Sequence, residues 1–168
     1  AANGGSSVTG YRINSDGALG TWSVIADGIT LTTYTATGLT AGLTYNFKVE
    51  AENEFGYSAY SEVVQILCAT VPSQIAMPTT SVVGSNVILN WDAPSANGLP
   101  ITEYKVYVRK FDLVFIIDTV VCDGSTQSVM DDTECTVPFS LLTVAPFLLQ
   151  EGYSVNIKVI ATNAYGDS

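Results

Sequence analysis

Short runs of alternating apolar and polar residues make up most of the chain. Tyr45, Phe47, Val49 and Ala51 alternate with Asn46, Lys48 and Glu50. A period of two describes a strand with one face buried. Val155, Ile157, Val159 and Ala161 repeat the pattern, with Asn156, Lys158 and Ile160 between them. The same reading predicts strands over 8–13, 20–25, 31–37, 61–67, 86–92, 102–110 and 113–121, and another near 73–80. Almost nothing carries a helical period. Val, Ile, Thr, Tyr and Phe fill the runs, and Gly, Asn, Asp, Ser and Pro separate them. Short strands at this spacing predict an all-β sandwich.

The pattern occurs twice. "FKVEAENEFGYS" at 47–58 matches "IKVIATNAYGDS" at 157–168, and "ANGGSSVTGYRI" at 2–13 matches "ANGLPITEYKV" at 96–106. Tyr11 aligns with Tyr104 at an offset of 93, and Gly42 with Gly152 at an offset of 110. The second copy therefore carries 17 extra residues between these landmarks, and Cys122 and Cys135 both lie in that interval. Such a repeat predicts tandem modules.

The motifs resemble the fibronectin type III family. "ILNWDAP" carries Trp91 and Pro94 as the family's second strand and following loop do. "NGLPITEYKV" is similar to the loop and third strand. "LTAGLTY", with Leu39, Gly42 and Tyr45, is similar to the entry to the sixth strand, and "VEAENEFGYSAYS" follows the family's Val-x-Ala-x-Asn-x-x-Gly-x-Ser pattern. The resemblance implies two tandem fibronectin type III-like (immunoglobulin-like) β-sandwiches. Residues 1–70 would supply the third to seventh strands of one. Residues 71–168 would supply the first to sixth strands of the other, with an insertion around 111–136. The first module thus lacks its N-terminal strands and the second its C-terminal strand. Trp91, Tyr45, Leu39, Tyr11 and Tyr104 are the expected structural core, with Tyr45 as a tyrosine corner. Gly56 and Gly166 suit the turn before a last strand. Val155 stands where the second module should have its corner tyrosine, with Tyr153 expected on the same strand face. "FDLVFIIDTVVC" matches no family motif.

Composition narrows function by exclusion. Of 168 residues, 47% are hydrophobic and only 13% charged, and mean hydropathy is +0.30. That much apolar surface points to burial against neighbours. No apolar run reaches the roughly 18 residues of a membrane helix, so membrane insertion is not expected. With no initiator Met or basic leader, the chain reads as a processed or excised segment. The net charge of −10 repels phosphate backbones, so nucleic acid is not an expected partner.

Candidate chemistry is sparse. The absence of His removes the common general base and the usual triads, so no catalytic residue and no cofactor are expected. Asp123, Asp131, Asp132 and Glu134 are hard oxygen donors and the calcium candidates, although no calcium-loop motif accompanies them. A solvated acidic loop with no metal is the favoured reading. Cys122 and Cys135 would close a small loop as a disulfide, which implies an oxidising compartment; two buried thiols are the other reading. Cys68 is either a buried free thiol or an interchain bridge. No Arg-Gly-Asp loop and no N-glycosylation sequon occurs, whereas "LTTYTATGLT" and "CATVPS" offer hydroxyls for O-linked sugar.

A sandwich short of strands exposes unpaired edges and an open core. The missing strands would lie in sequence outside this chain, or the ends would be disordered, or neighbouring chains would complete each module by strand addition. The expected function is an extracellular or cell-surface structural protein, the repeat unit of a fibre, stalk or filament. Its expected partners are other copies of itself or adjacent modules. The alternative is an adhesion or receptor-type binding module, or an accessory domain of an extracellular enzyme, with surface glycans or proteins as partners.

Overall fold

The computed structural model describes residues 4–168; residues 1–3, which open the 2–13 match, lie outside them. The chain divides into two compact units, Ala1–Ala69 and Thr70–Ser168.

The first unit is one antiparallel sheet of five strands. They are β1 (Gly10–Ser15), β2 (Ser23–Ile29), β3 (Thr44–Asn53), β4 (Gly56–Tyr57) and β5 (Val64–Leu67). β3 lies centrally, with β1 on one side and both β4 and β5 on the other, while β2 flanks β1. Ile13 faces Val49, Tyr11 faces Ala51, and Tyr45 faces Ile66 across the ladders. These residues share one face, since directly paired residues point the same way. Among the described residues of this unit no second sheet packs on that face.

Residues 31–37, expected as a strand, form no ladder. The second unit shows the reason. Its equivalent strand, β10 (Glu134–Pro138), pairs with β7 (Asn86–Asn90), a strand that the described residues of the first unit do not contain. Alternation alone does not make a strand without a partner for its backbone groups. The same deficit corrects two of the expected core residues. Tyr11 and Leu39 are only half-buried, whereas Ile13 and Tyr45 are buried.

The second unit has two sheets. β6 (Thr79–Val83), β7 and β10 form one, in the order β10-β7-β6. β8 (Glu103–Arg109), β9 (Phe115–Ile117), β11 (Ile157–Asn163) and β12 (Gly166–Asp167) form the other, in the order β12-β11-β8-β9. Their facing sides meet in one core that includes Val87, Leu89, Trp91, Tyr104, Val106, Val137 and Ala161. Trp91 and Tyr104 meet edge to face with ring centroids 5.3 Å apart. The turn at "NAYGDS" leads into β12, where Gly166 adopts φ 136°, as Gly56 adopts φ 121° at the matching turn. Side chains rarely tolerate such angles.

The insertion departs from an all-strand reading. The predicted strand 113–121 shortens to β9, and two short helices, α1 (Gln127–Asp132) and α2 (Phe139–Leu142), flank β10. Val121, Cys122 and Leu142 enter the core, whereas Phe111, Leu113, Val114, Ile117 and Val120 of the apolar "FDLVFIIDTVVC" segment stay exposed. Residues 153–156 are not strand, so Tyr153 leaves the expected face. It is exposed and lies 5.4 Å from the Phe111 ring.

Candidate functional site

Three places carry the candidate residues: the insertion, the outer face of each four- or five-stranded sheet, and the turn before β3 or β11.

In the insertion, Cys122 and Cys135 form a disulfide with Cα atoms 5.8 Å apart. Cys135 sits on β10 opposite Leu89, so its side chain faces the core and draws the 118–124 segment onto it. Gly124 is where that segment crosses β8. It accepts the Tyr104 N–H at 2.9 Å, and a Cβ there would collide with the Tyr104 carbonyl. Nothing in the spacing of "CDGST" marks this glycine, because the strand that it meets lies 20 residues earlier.

The four acidic residues of this region do not converge. Asp123 accepts from the Ser125 N–H and hydroxyl at 3.1 and 2.7 Å, and these bonds hold its carboxyl below the usual range. Asp131 takes the Gln127 amide at 2.7 Å, and Glu134 takes the Asn90 amide at 3.4 Å. Asp132 is exposed. Among the described residues no group of three or more His, Cys, Asp or Glu side chains is placed to hold a metal ion. Cys68 is a half-buried free thiol, its backbone tied to Gly42 and Leu43.

The outer sheet faces carry cations over aromatic rings. In the first unit the Arg12 guanidinium lies 3.5 Å from the Tyr57 ring centre and donates to Asp27 at 2.9 Å. The Tyr57 hydroxyl also donates to Asp27, at 3.1 Å. Arg12 holds the Asp27 carboxyl below its ordinary value, and Asp27 raises the guanidinium in turn. The Lys48 ammonium lies 4.2 Å from the Trp22 ring and 3.7 Å from the Tyr60 ring. Cations prefer ring faces because of the aromatic quadrupole. The second unit repeats the frame with fewer rings. Lys158 lies 4.3 Å from the Phe115 ring, while Lys105 pairs with Asp167 at 2.7 Å. The face is legible only as the polar half of the β3 alternation. Trp22 and Tyr60 reach Lys48 from outside that run.

At the turn before β3 the Tyr45 hydroxyl accepts the Thr40 N–H at 2.8 Å, which is the geometry of a tyrosine corner. The corresponding turn before β11 holds Val155 instead. Asn163, missed in sequence, is buried. Its amide donates to the Thr70 and Ala96 carbonyls at 2.8 and 3.1 Å, tying the strand end to two loops. Its recurrence in both copies, as Asn53 and Asn163, was the available signal.

Comparison with known proteins adds a family to this geometry. The model of the fibronectin type III domain matches residues 1–66. A Kelch domain-containing protein of Saccharolobus solfataricus is 40% identical over 68 residues, 40% of this chain and 9% of that protein. Fibronectin type-III domain-containing protein 3A of Homo sapiens is 32% identical over 74 residues, 43% of this chain and 6% of that protein. The chain thus spans less than about a tenth of the length of these relatives.

Proposed function

Residues 1–66 belong to the fibronectin type III domain family, and from that premise we propose that the chain is a repeat segment of an extracellular structural protein, built into a fibre, stalk or filament. Domains of this family are common in extracellular proteins and generally non-catalytic. The family match and the Cys122–Cys135 disulfide both suit an oxidising, extracellular setting. No helix among the described residues is long and apolar enough to cross a membrane.

One observation carries the structural reading. The first unit has an apolar sheet face with no covering sheet among the described residues, on which Tyr11 and Val49 are half-buried and Val64 and Ile66 exposed. Val64 and Ile66 are 57% and 48% exposed. A contiguous apolar face of this kind favours burial against another polypeptide. Neighbouring modules would close it, by strand complementation or by face-to-face packing, and in doing so would join module to module. Electron microscopy of the native material tests this. Filaments with an axial repeat near two module lengths are expected, and dispersed particles would overturn the reading.

A second reading is a binding module of adhesion or receptor type, or one accessory to an extracellular enzyme. The exposed Trp22, Tyr57 and Tyr60 on the outer face favour it, since exposed rings offer stacking surface to glycans or protein. Loss of glycan or protein capture on replacing Trp22 with Ala is its test.

A further inference from the structure

The two units differ in their inner turns, and one of the differences, Tyr45 against Val155, leaves space. An offset of 110 aligns Leu39 with Leu149, Gly42 with Gly152 and Tyr45 with Val155. The backbone turns alike in both. The Leu43 N–H donates to the Thr40 carbonyl at 3.3 Å, and the Tyr153 N–H donates to the Gln150 carbonyl at 3.1 Å. In the first unit a buried phenol ring completes the turn, its hydroxyl accepting the Thr40 N–H. In the second, Val155 supplies no ring. Among the described residues no acceptor takes the Gln150 N–H, the counterpart of the Thr40 N–H.

A cavity of about 590 Å³ opens beside Val155, with Val87, Phe139, Leu142 and Leu149 among its apolar lining and hydroxyls such as that of Thr80 among its polar lining. Pockets of this size and apolar character suit small organic ligands. We propose that the second unit binds a small neutral phenol in this cavity, with the ring where the first unit places its own tyrosine and the hydroxyl accepting the Gln150 N–H. The cavity exceeds a single ring, so a phenol bearing an aliphatic tail fits it better than phenol itself. Glu151 on the lining disfavours an anionic ligand. The proposal does not depend on assembly. It rests on the turn and cavity of one unit.

The probe is p-cresol, the tyrosine side chain as a free molecule, titrated into the full chain and followed by methyl-resolved NMR. Saturable shifts are expected at Leu142, Leu149 and Val155, with Val106 and Val108 unmoved. Toluene, which lacks the hydroxyl, is expected to bind about fivefold more weakly. Val155→Tyr should refill the site from within and weaken p-cresol by more than about tenfold. Absence of saturable binding, equal affinity for toluene, or unchanged binding by V155Y would each overturn the proposal. If V155Y does not fold, the shift map of the unaltered chain decides, and shifts centred away from these three residues overturn it.

Discussion

Tyr45 and Asp16 show how single side chains hold the first unit together, in which the described residues form one sheet. Tyr45 fills the turn before β3 and anchors it through the Thr40 N–H. Tyr45→Phe keeps the ring and loses the bond. It should lower stability by about 1 kcal/mol, read as a lower urea midpoint for the first unit. Asp16 accepts the Asn46 amide at 2.6 Å, the Asn46 N–H at 3.0 Å and the Ala18 N–H at 3.0 Å. These bonds, led by the Asn46 side chain, lower its pKa. Asp27, Asp112 and Asp167 are lowered by Arg12, Lys110 and Lys105. A depressed carboxyl binds protons more weakly folded than unfolded. Its contribution is complete above the unfolded value of about 3.9 and is lost as pH falls through the folded value. Thermal midpoints should therefore be level from weakly acidic to neutral pH and fall below about pH 4. Asp16→Asn should flatten that acid limb.

At the scale of elements, alternation located strands, and pairing decided which of them form. The β3 run and the β11 run from Ile157 onward form strands because each is central and has partners on both sides, while Val155 falls outside β11. Residues 31–37 are as rich in Thr and Tyr as a strand, yet the strand that would pair with them is not among the described residues. The helices escaped notice because six and four residues are too few to display a period. The cysteine pairing was legible from spacing. The approach of Gly124 to β8 was not, since it depends on a contact between distant segments. Gly124→Ala should destabilise the second unit by about 1–3 kcal/mol through overpacking, seen as a lower thermal midpoint. Cys122→Ser with Cys135→Ser should cost about 3 kcal/mol in unfolding free energy, because the closed loop then regains its freedom when unfolded. The outer-face ladder was half legible. Lys48 lay on the polar side of β3, but its rings come from residues outside that strand. The cavity was announced only as a missing tyrosine at Val155, and its volume depends on how the inserted α2 segment packs.

At the scale of the whole molecule, the two units have unequal surfaces. The second encloses its core between two sheets. In the first, Val64 and Ile66 are exposed with no covering sheet among the described residues, although it carries the same turns and the same central strand. The net charge of −10 opposes close approach of like chains, and salt screens that repulsion. Burial of apolar area gains little from the same change. Association through the open face should accordingly strengthen as ionic strength rises, and a substitution that places charge on it, such as Ile66→Lys, should reverse it. Sedimentation velocity of the full chain, across concentration at moderate salt, tests this most directly. A sedimentation coefficient that rises with concentration, and returns to the monomer value in Ile66→Lys, is expected. A folded chain that stays monomeric at high concentration would contradict it.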